Sequence, residues 1–150
     1  MFHKLIRTDS DYAVTVLRLV LGIVFFAHGA QKALGWFGGH GFKATLTGFN
    51  QDMHIPLVFA VLAIAAEFLG GLGLLVGLLS RVAAFGIGCN MVVAIAEVHH
   101  RFGFFMNWSG IKKGEGFEFH LLAIAIVLAL ILKGGGAASI DRVLTARSGG

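Results

Sequence analysis

The sequence predicts an all-α integral membrane protein, a four-helix bundle with a short interfacial helix between its first and second spans. Two properties of the composition support this class. Hydrophobic residues make up 57% of the 150 residues, and the mean hydropathy is +0.83. Charged residues make up only 13%, whereas soluble domains contain about 25%. A chain of this length cannot bury so much apolar surface and keep a polar exterior, so lipid is the expected solvent.

Four apolar stretches are candidates for crossing a bilayer. A crossing needs roughly 20 mostly apolar residues, because an α-helix rises about 1.5 Å per residue and the hydrocarbon core is about 30 Å thick. We expect one membrane domain over residues 1–150, and the third and fourth of its spans are short. The predicted spans are about 12–34, 56–79, 82–98 and 117–132.

Two features define the ends of the second span. Pro56 lies where a helix tolerates proline, at its first turn. Only Ser80 and Arg81 separate the second span from the third. A link of this length predicts a tight antiparallel hairpin between the two spans.

Two of the links between spans are amphipathic. In the first link, apolar residues recur at helical spacing, at Phe42, Leu46, Phe49 and Met53. This pattern predicts a short helix on the membrane surface, which Gly48 weakens. The link 99–116 combines aromatic and basic residues, a mixture found at headgroup depth, and its expected role is anchoring.

The chain begins with a feature shared by signal peptides, since Lys4 and Arg7 precede an apolar run. That run is longer than the signal core of about 7 to 15 residues, and it contains Arg18. We therefore expect it to be retained as the first span.

Lysines and arginines flank the predicted spans almost evenly. The side with both termini carries Lys4, Arg7, Arg81, Lys133, Arg142 and Arg147. The opposite side carries Lys32, Lys43, Arg101, Lys112 and Lys113. Because cytoplasmic loops carry the excess of Lys and Arg, this small difference favours both termini in the cytoplasm.

Several function classes have no signature in the sequence. The single cysteine, Cys89, excludes a disulfide framework within the chain. The net charge of +4 includes no basic run of five or more residues, so we expect no nucleic-acid partner, and the cations should meet lipid headgroups. The chain has no phosphate-binding glycine loop with a lysine, no zinc-spaced cysteine cluster and no nucleophile elbow.

Ionisable residues within the predicted spans are the candidate functional residues. An ionised side chain at a helix centre costs roughly 2.5 to 3.5 kcal/mol on insertion scales, so each needs a partner. Arg18 and Lys32 share a face of the first span that also carries small residues. Close approach of the second span would let Glu67 meet Arg18 or Lys32.

The sequence leaves two interpretations of the Glu67 pair equally open. One is an ion pair that fixes the fold without chemistry, and the other is a proton-binding or ligand-binding site between helices. Asn90 and Glu118 are weaker candidates for the same site. Glu118 and Glu97 lie close to interfaces, where water reaches them.

No metal site is predicted. A di-iron bundle needs a Glu from each of two helices and a Glu-x-x-His from each of the other two, and the chain has only one such motif, at Glu97 and His100. Haem would need an axial histidine, and interfacial histidines are usually only hydrated. The candidates for that ligand are His28, His99, His100 and His120.

Four features together resemble the DoxX family of small bacterial membrane proteins, over roughly residues 14–144. The features are Arg18 with Gly22, HGAQK at 28–32, EFLGGLGLLVGLLSR at 67–81, and a glycine-rich stop before Ser139 and Asp141. The stretch in the second span is the most specific of the four. The tail departs from the usual Gly-Pro-Gly with a following basic residue, since 134–138 reads GGGAA.

The resemblance implies a four-helix, multi-pass protein of the bacterial inner membrane. The family takes its name from a subunit of a thiosulfate:quinone oxidoreductase, and related members are associated with membrane complexes that handle thiol or oxidative stress. The resemblance does not identify catalytic residues, because the family has no agreed set of them. The positions that match the family pattern are Arg18, His28, Lys32, Glu67, Gly70, Gly71, Arg81 and Glu118.

We therefore expect a small inner-membrane subunit of a respiratory or redox complex that interacts with quinone. Its expected partners are the lipid bilayer and other membrane or soluble redox subunits, with homo-oligomers as an open alternative, and no covalently bound cofactor is expected. Glu67 is the predicted catalytic residue, because quinone reduction requires a proton. The predicted ligand-binding residues are Arg18, His28, Lys32, Glu67, Asn90 and Glu118.

The alternative is a noncatalytic membrane scaffold or anchor for a soluble oxidoreductase partner. Its polar pairs would only fix helix packing, and its loops would recruit the partner. A small-molecule carrier is disfavoured, because the sequence shows neither an inverted repeat nor a broken helix near the midplane.

Overall fold

The computed structural model describes residues 5–147. Its α-helices are α1 (Tyr12–Leu34), α2 (Gly41–Thr47), α3 (Leu57–Val76), α4 (Ser80–Glu97), α5 (Glu118–Lys133) and α6 (Ile140–Arg147). No β-strand occurs within 5–147, and the predicted all-α class is confirmed. Lys4 and the side chain of Arg147, which entered the charge count above, lie outside the described part.

Four long helices form an up-down-up-down bundle. α1 packs most extensively on α3, α4 lies between α3 and α5, and α5 returns to α1. The buried core draws on all four helices through Phe25, Leu74, Ile87 and Val127. We call the end with the start of α1, the α3–α4 turn and α6 the terminal end. The opposite end, with α2 and the loop 98–117, is the loop end.

The outer surface of this bundle suits lipid. Within the described residues, the three helices α1, α3 and α4 are long and apolar enough to cross a membrane. Large apolar side chains such as Phe85 and Leu122 point outwards and are exposed, an arrangement that is unfavourable in water. α5 has 16 residues, about 24 Å of helix, and its role as the fourth crossing stays a prediction.

Local signals set the ends of the first two spanning helices. The carboxylate of Asp11 caps α1 by accepting hydrogen bonds from the amides of Ala13 and Val14. Gly35, in the left-handed conformation with φ of 75°, ends it. α3 begins directly after Pro56, in agreement with the predicted boundary.

The turn between α3 and α4 lies earlier in the chain than predicted. Residues 77–79 form it, with Gly77 and Leu79 in the left-handed region at φ of 71° and 50°, and Ser80 already belongs to α4. The cause is a distant residue. Asp141 accepts hydrogen bonds from the amides of Leu79 at 2.7 Å and Ser80 at 2.8 Å, and so caps α4. The antiparallel hairpin itself is as predicted.

A short helix lies between the first two spans, as predicted, but its geometry changes at Gly48. α2 ends at Thr47, and Gly48–Asp52 form a π-helical turn. Glycine weakens an α-helix by about 0.5–1 kcal/mol relative to alanine, and the change in helix type falls at this residue. The segment lies against the end of α1 and the start of α3.

Candidate functional site

The candidate site centres on an ion pair between two spans. Nζ of Lys32, near the end of α1, contacts Oε2 of Glu67, midway along α3. The side chain of Glu67 is 10% exposed and that of Lys32 is 25% exposed. The carboxylate is therefore held inside the bundle, while the ammonium reaches its surface. Pairing lowers the cost of placing both charges at this depth.

Glycines bring α1 and α3 close enough to form this pair. A Cβ added at Gly29 would overlap the backbone of Glu67 and Phe68. A Cβ added at Gly71 would overlap the backbone of Phe26. The two helices thus touch through their main chains, as membrane helices do where small residues line the interface.

Lys32 also lines a cleft at the loop end, which we call the Lys32 cleft. It has a volume of about 550 Å³ and lies between the end of α1 and residues 38–53, within the range of roughly 300–1,000 Å³ typical of small-molecule pockets. Its other lining side chains include polar Gln31, His40, Thr45 and Asp52 and apolar Phe49 and Met53. Lys32 therefore connects a buried carboxylate to a cleft of ligand size.

Arg18 is held at the other end of the bundle. It is 1% exposed, and among residues 5–147 its guanidinium donates hydrogen bonds to backbone carbonyls only. The acceptors are Leu74, Leu75 at 3.0 Å, Gly135 at 2.7 Å and Ala138 at 2.5 Å. The last carbonyls of α3 and those of the glycine-rich loop are natural partners for a cation. The predicted alternative of an Arg18–Glu67 pair is not realised, and the structure does not bring Arg18 to the Lys32 cleft.

Arg81 and the glycine-rich stop complete the terminal end. The Arg81 guanidinium donates to the carbonyl of Ile131 and, at 2.9 and 3.1 Å, to the carbonyl of Arg7. A Cβ added at Gly135 would lie 2.6 Å from Oγ of Ser80. The loop 134–138, which departs from the family pattern, is therefore packed tightly against the start of α4.

Three histidines gather at the loop end. The ring centroids of His99 and His120 are 4.1 Å apart, and His28 is a further electrostatic neighbour of His120. Nδ1 of His120 is buried and has no hydrogen-bond partner within the described chain. Among residues 5–147, no group of three or more His, Cys, Asp or Glu is arranged to hold a metal ion. We therefore describe His99 and His120 as an aromatic contact.

The remaining predicted residues bond to main-chain or loop groups. Nδ2 of Asn90 donates to the carbonyl of Ala63 at 2.8 Å, one turn of α3 before Glu67. The Glu118 carboxylate accepts from a loop amide at 2.9 Å and from the indole N–H of Trp108 at 3.1 Å. The structure thus places Asn90 against the helix that carries the ion pair, whereas Glu118 orders the loop 98–117.

A helical bundle with three helices of membrane length, an apolar outer surface and an ion pair between two of its helices defines a multi-pass membrane protein. The DoxX family model matches residues 13–100. The chain belongs to the DoxX family, as its resemblance predicted. It is a multi-pass protein of the bacterial inner membrane.

Relatives span most of the chain. The "Inner membrane protein YqjF" of Escherichia coli (strain K12) is 31% identical, over 90% of this chain and 94% of that protein. An uncharacterized protein of Haemophilus influenzae (strain ATCC 51907 / DSM 11121 / KW20 / Rd) is 29% identical, over 87% and 89%. The "Putative oxidoreductase CatD" of Bacillus subtilis (strain 168) is 29% identical, over 80% and 79%. No solved structure matches.

Proposed function

We propose that this DoxX protein is a small subunit of a respiratory or redox complex and that it binds a quinone headgroup in the Lys32 cleft. The observation that carries this function is the position of Lys32, which lines the cleft and contacts the buried carboxylate of Glu67. A cation in the wall of a cleft suits a carbonyl or anionic oxygen. The name of the Bacillus subtilis relative, "Putative oxidoreductase CatD", agrees with redox chemistry.

Different residues at the cleft bind the quinone headgroup and transfer the proton. Lys32 donates a hydrogen bond to a headgroup oxygen, and Phe49 and Met53 offer an apolar wall to the ring. The Lys32–Glu67 pair takes up one proton as the carboxylic acid of Glu67 and releases it towards the cleft through Lys32. A partner oxidoreductase supplies the two electrons that reduce a quinone to its quinol, and water in the cleft supplies the second of the two protons that this reduction requires.

Tryptophan fluorescence tests the binding step. The chain has two tryptophans, and Trp36 lies two residues before Gly38 of the cleft wall. In a Trp108→Phe protein, Trp36 is the sole tryptophan, so a short-chain quinone should quench its fluorescence saturably. Adding Lys32→Gln should weaken the binding about tenfold, the effect of losing one charged hydrogen bond.

Lys43→Gln is the matched control, because Lys43 is an exposed cation on α2. It should change quinone binding by no more than about twofold. Quenching that does not saturate, or an equal loss in the control protein, would count against a quinone site at Lys32.

A noncatalytic scaffold is the second candidate, and Arg18 favours it. The guanidinium of this fully buried residue donates its hydrogen bonds to backbone carbonyls. The charge of Arg18 therefore has a structural role in the bundle. In a scaffold, Glu67→Gln lowers the amount of assembled complex and leaves the redox flux per complex unchanged. In the quinone-binding subunit, flux per assembled complex falls as well.

A further inference from the structure

A second cleft, at the terminal end, carries an excess of positive charge. It has a volume of about 440 Å³ and lies at the opposite end of the bundle from the Lys32 cleft. Its lining residues are Arg7, Asp9, Arg81, Leu132 and Lys133. Three cationic side chains thus face one carboxylate, and the proposed quinone chemistry uses none of them.

The cations of this basic cleft are held in different ways. Three hydrogen bonds to the carbonyls of Arg7 and Ile131 fix the guanidinium of Arg81. Lys133 contacts Asp9 at 3.2 Å, and these side chains are 55% and 50% exposed. Exposed ion pairs are worth about 0–1 kcal/mol, so Lys133 can exchange Asp9 for an anionic ligand. The positive charge of Arg81 is therefore fixed in position, whereas Lys133 can reorient towards a ligand.

The position of the basic cleft matches the depth of lipid headgroups. Arg81 lies in the first turn of α4, a helix of membrane length, and Lys133 is the last residue of α5. Leu132, beside Lys133, is 76% exposed. Cations at the ends of membrane helices contact anionic headgroups, while neighbouring apolar side chains contact the acyl chains.

We propose that the basic cleft binds the phosphate headgroup of an anionic phospholipid. Arg7 and Lys133 contact the phosphate oxygens, Arg81 provides fixed positive charge behind them, and Leu132 packs against an acyl chain. A free phosphate compound would find the same charges but not the contact with Leu132. A bilayer lipid is therefore the ligand that uses the whole cleft.

Native mass spectrometry of the full chain in detergent tests this site. The probes are phosphatidylglycerol, phosphatidylcholine with the same acyl chains, and glycerol 3-phosphate. We expect one retained phosphatidylglycerol, bound about tenfold more tightly than phosphatidylcholine. Glycerol 3-phosphate should not be retained at the same concentration.

Charge variants locate the binding. Arg7→Gln with Lys133→Gln should weaken phosphatidylglycerol binding about tenfold or more. The matched control, Lys43→Gln with Lys113→Gln, removes the same charge from exposed positions elsewhere and should change binding by no more than about twofold. Asp9→Asn removes the competing carboxylate and should tighten binding, which provides a test if the double variant does not fold.

Three results would overturn the assignment. They are equal binding of the two lipids, equal weakening by the control pair, and binding of glycerol 3-phosphate as tight as that of the lipid. The last result would indicate a site for soluble phosphate compounds. None of these measurements involves quinone, so the outcome is separate from that of the Lys32 cleft.

Discussion

Lys32 contacts Glu67 close to Gly29, one of the residues at which α1 touches the backbone of α3. The carboxylate is nearly buried, and the ammonium extends to a cleft of about 550 Å³. The same pair therefore joins two helices and forms one wall of the candidate ligand site. Its contribution to stability can be separated from its contribution to binding by removing one partner or both.

Removing one partner of the pair should cost more stability than removing both. Glu67→Leu leaves the ammonium of Lys32 without its partner, and we expect a loss of about 2–4 kcal/mol in the free energy of unfolding. Glu67→Leu with Lys32→Met replaces both charges by apolar groups and should recover most of that loss. Unfolding in detergent, as a double-mutant cycle, measures the coupling.

Lys43→Met serves as the control for that cycle, since Lys43 is exposed and lies on α2. Its effect on unfolding should be within about 0.5 kcal/mol. Losses in Glu67→Leu and in Lys32→Met that add up to the loss in the double variant would show that the pair is not energetically coupled.

Substituting the glycine at the α1–α3 contact should separate the helices. Gly71→Ala would place a Cβ on the backbone of Phe26, and we expect a destabilisation of about 1–3 kcal/mol. Gly48→Ala is the matched control. Gly48 has φ of −60°, and an added Cβ would meet only Oδ2 of Asp52 at 3.5 Å.

The control should therefore stabilise the chain by up to about 0.5–1 kcal/mol. Thermal unfolding of the two alanine variants measures the difference. Similar melting temperatures for both would mean that α1 and α3 are not in main-chain contact at Gly71.

Arg18→Lys should be poorly tolerated, although it conserves charge. The guanidinium reaches carbonyls of both α3 and the glycine-rich loop, and an ammonium has neither the span nor the number of donors to do so. We expect a loss of about 3 kcal/mol, as for a buried charge that loses part of its partners. Unfolding in detergent measures this loss of stability, and the rate of protease cleavage within residues 134–147 measures the loosening of the segment. A stability equal to that of the unsubstituted protein would show that the network contributes nothing.

Two buried serines at the terminal end should respond oppositely to alanine. Oγ of Ser80 is buried without a hydrogen-bond partner within the described chain, so Ser80→Ala should stabilise the fold by about 1 kcal/mol. Oγ of Ser139 donates to the carbonyl of Gly136 at 3.0 Å and accepts from the amide of Arg142 at 3.2 Å. Ser139→Ala should therefore destabilise it by about 1–2 kcal/mol. Effects of the same sign, measured by unfolding, would contradict this assignment of hydrogen bonds.

Local information in the sequence determined the helices. The helices 57–76 and 80–97 end within three residues of the predicted spans 56–79 and 82–98, and Pro56 marked a true start. Each apolar segment satisfies its own main-chain hydrogen bonds, and its preference for lipid depends on its own side chains. Such elements can be recognised one segment at a time.

Only some of the residues that line the Lys32 cleft could be predicted from the sequence. Lys32 was predicted as a ligand-binding residue, whereas Gln31, His40 and Asp52 were not. The amphipathic pattern of 42–53 was the available signal. It indicated a surface helix, but not that the segment would lie against the end of α1 and leave a cleft there.

Only the tertiary structure decided which cation neutralises Glu67. Helical phase puts Arg18 and Lys32 on one face of α1, so the sequence allowed either, although they are about 21 Å apart along the helix. The antiparallel packing of α3 sets Glu67 level with Gly29, within reach of Lys32, and the loop around Gly135 returns to bind Arg18. The axial position of one helix against another is the sum of many contacts between distant segments, so no local pattern encodes it.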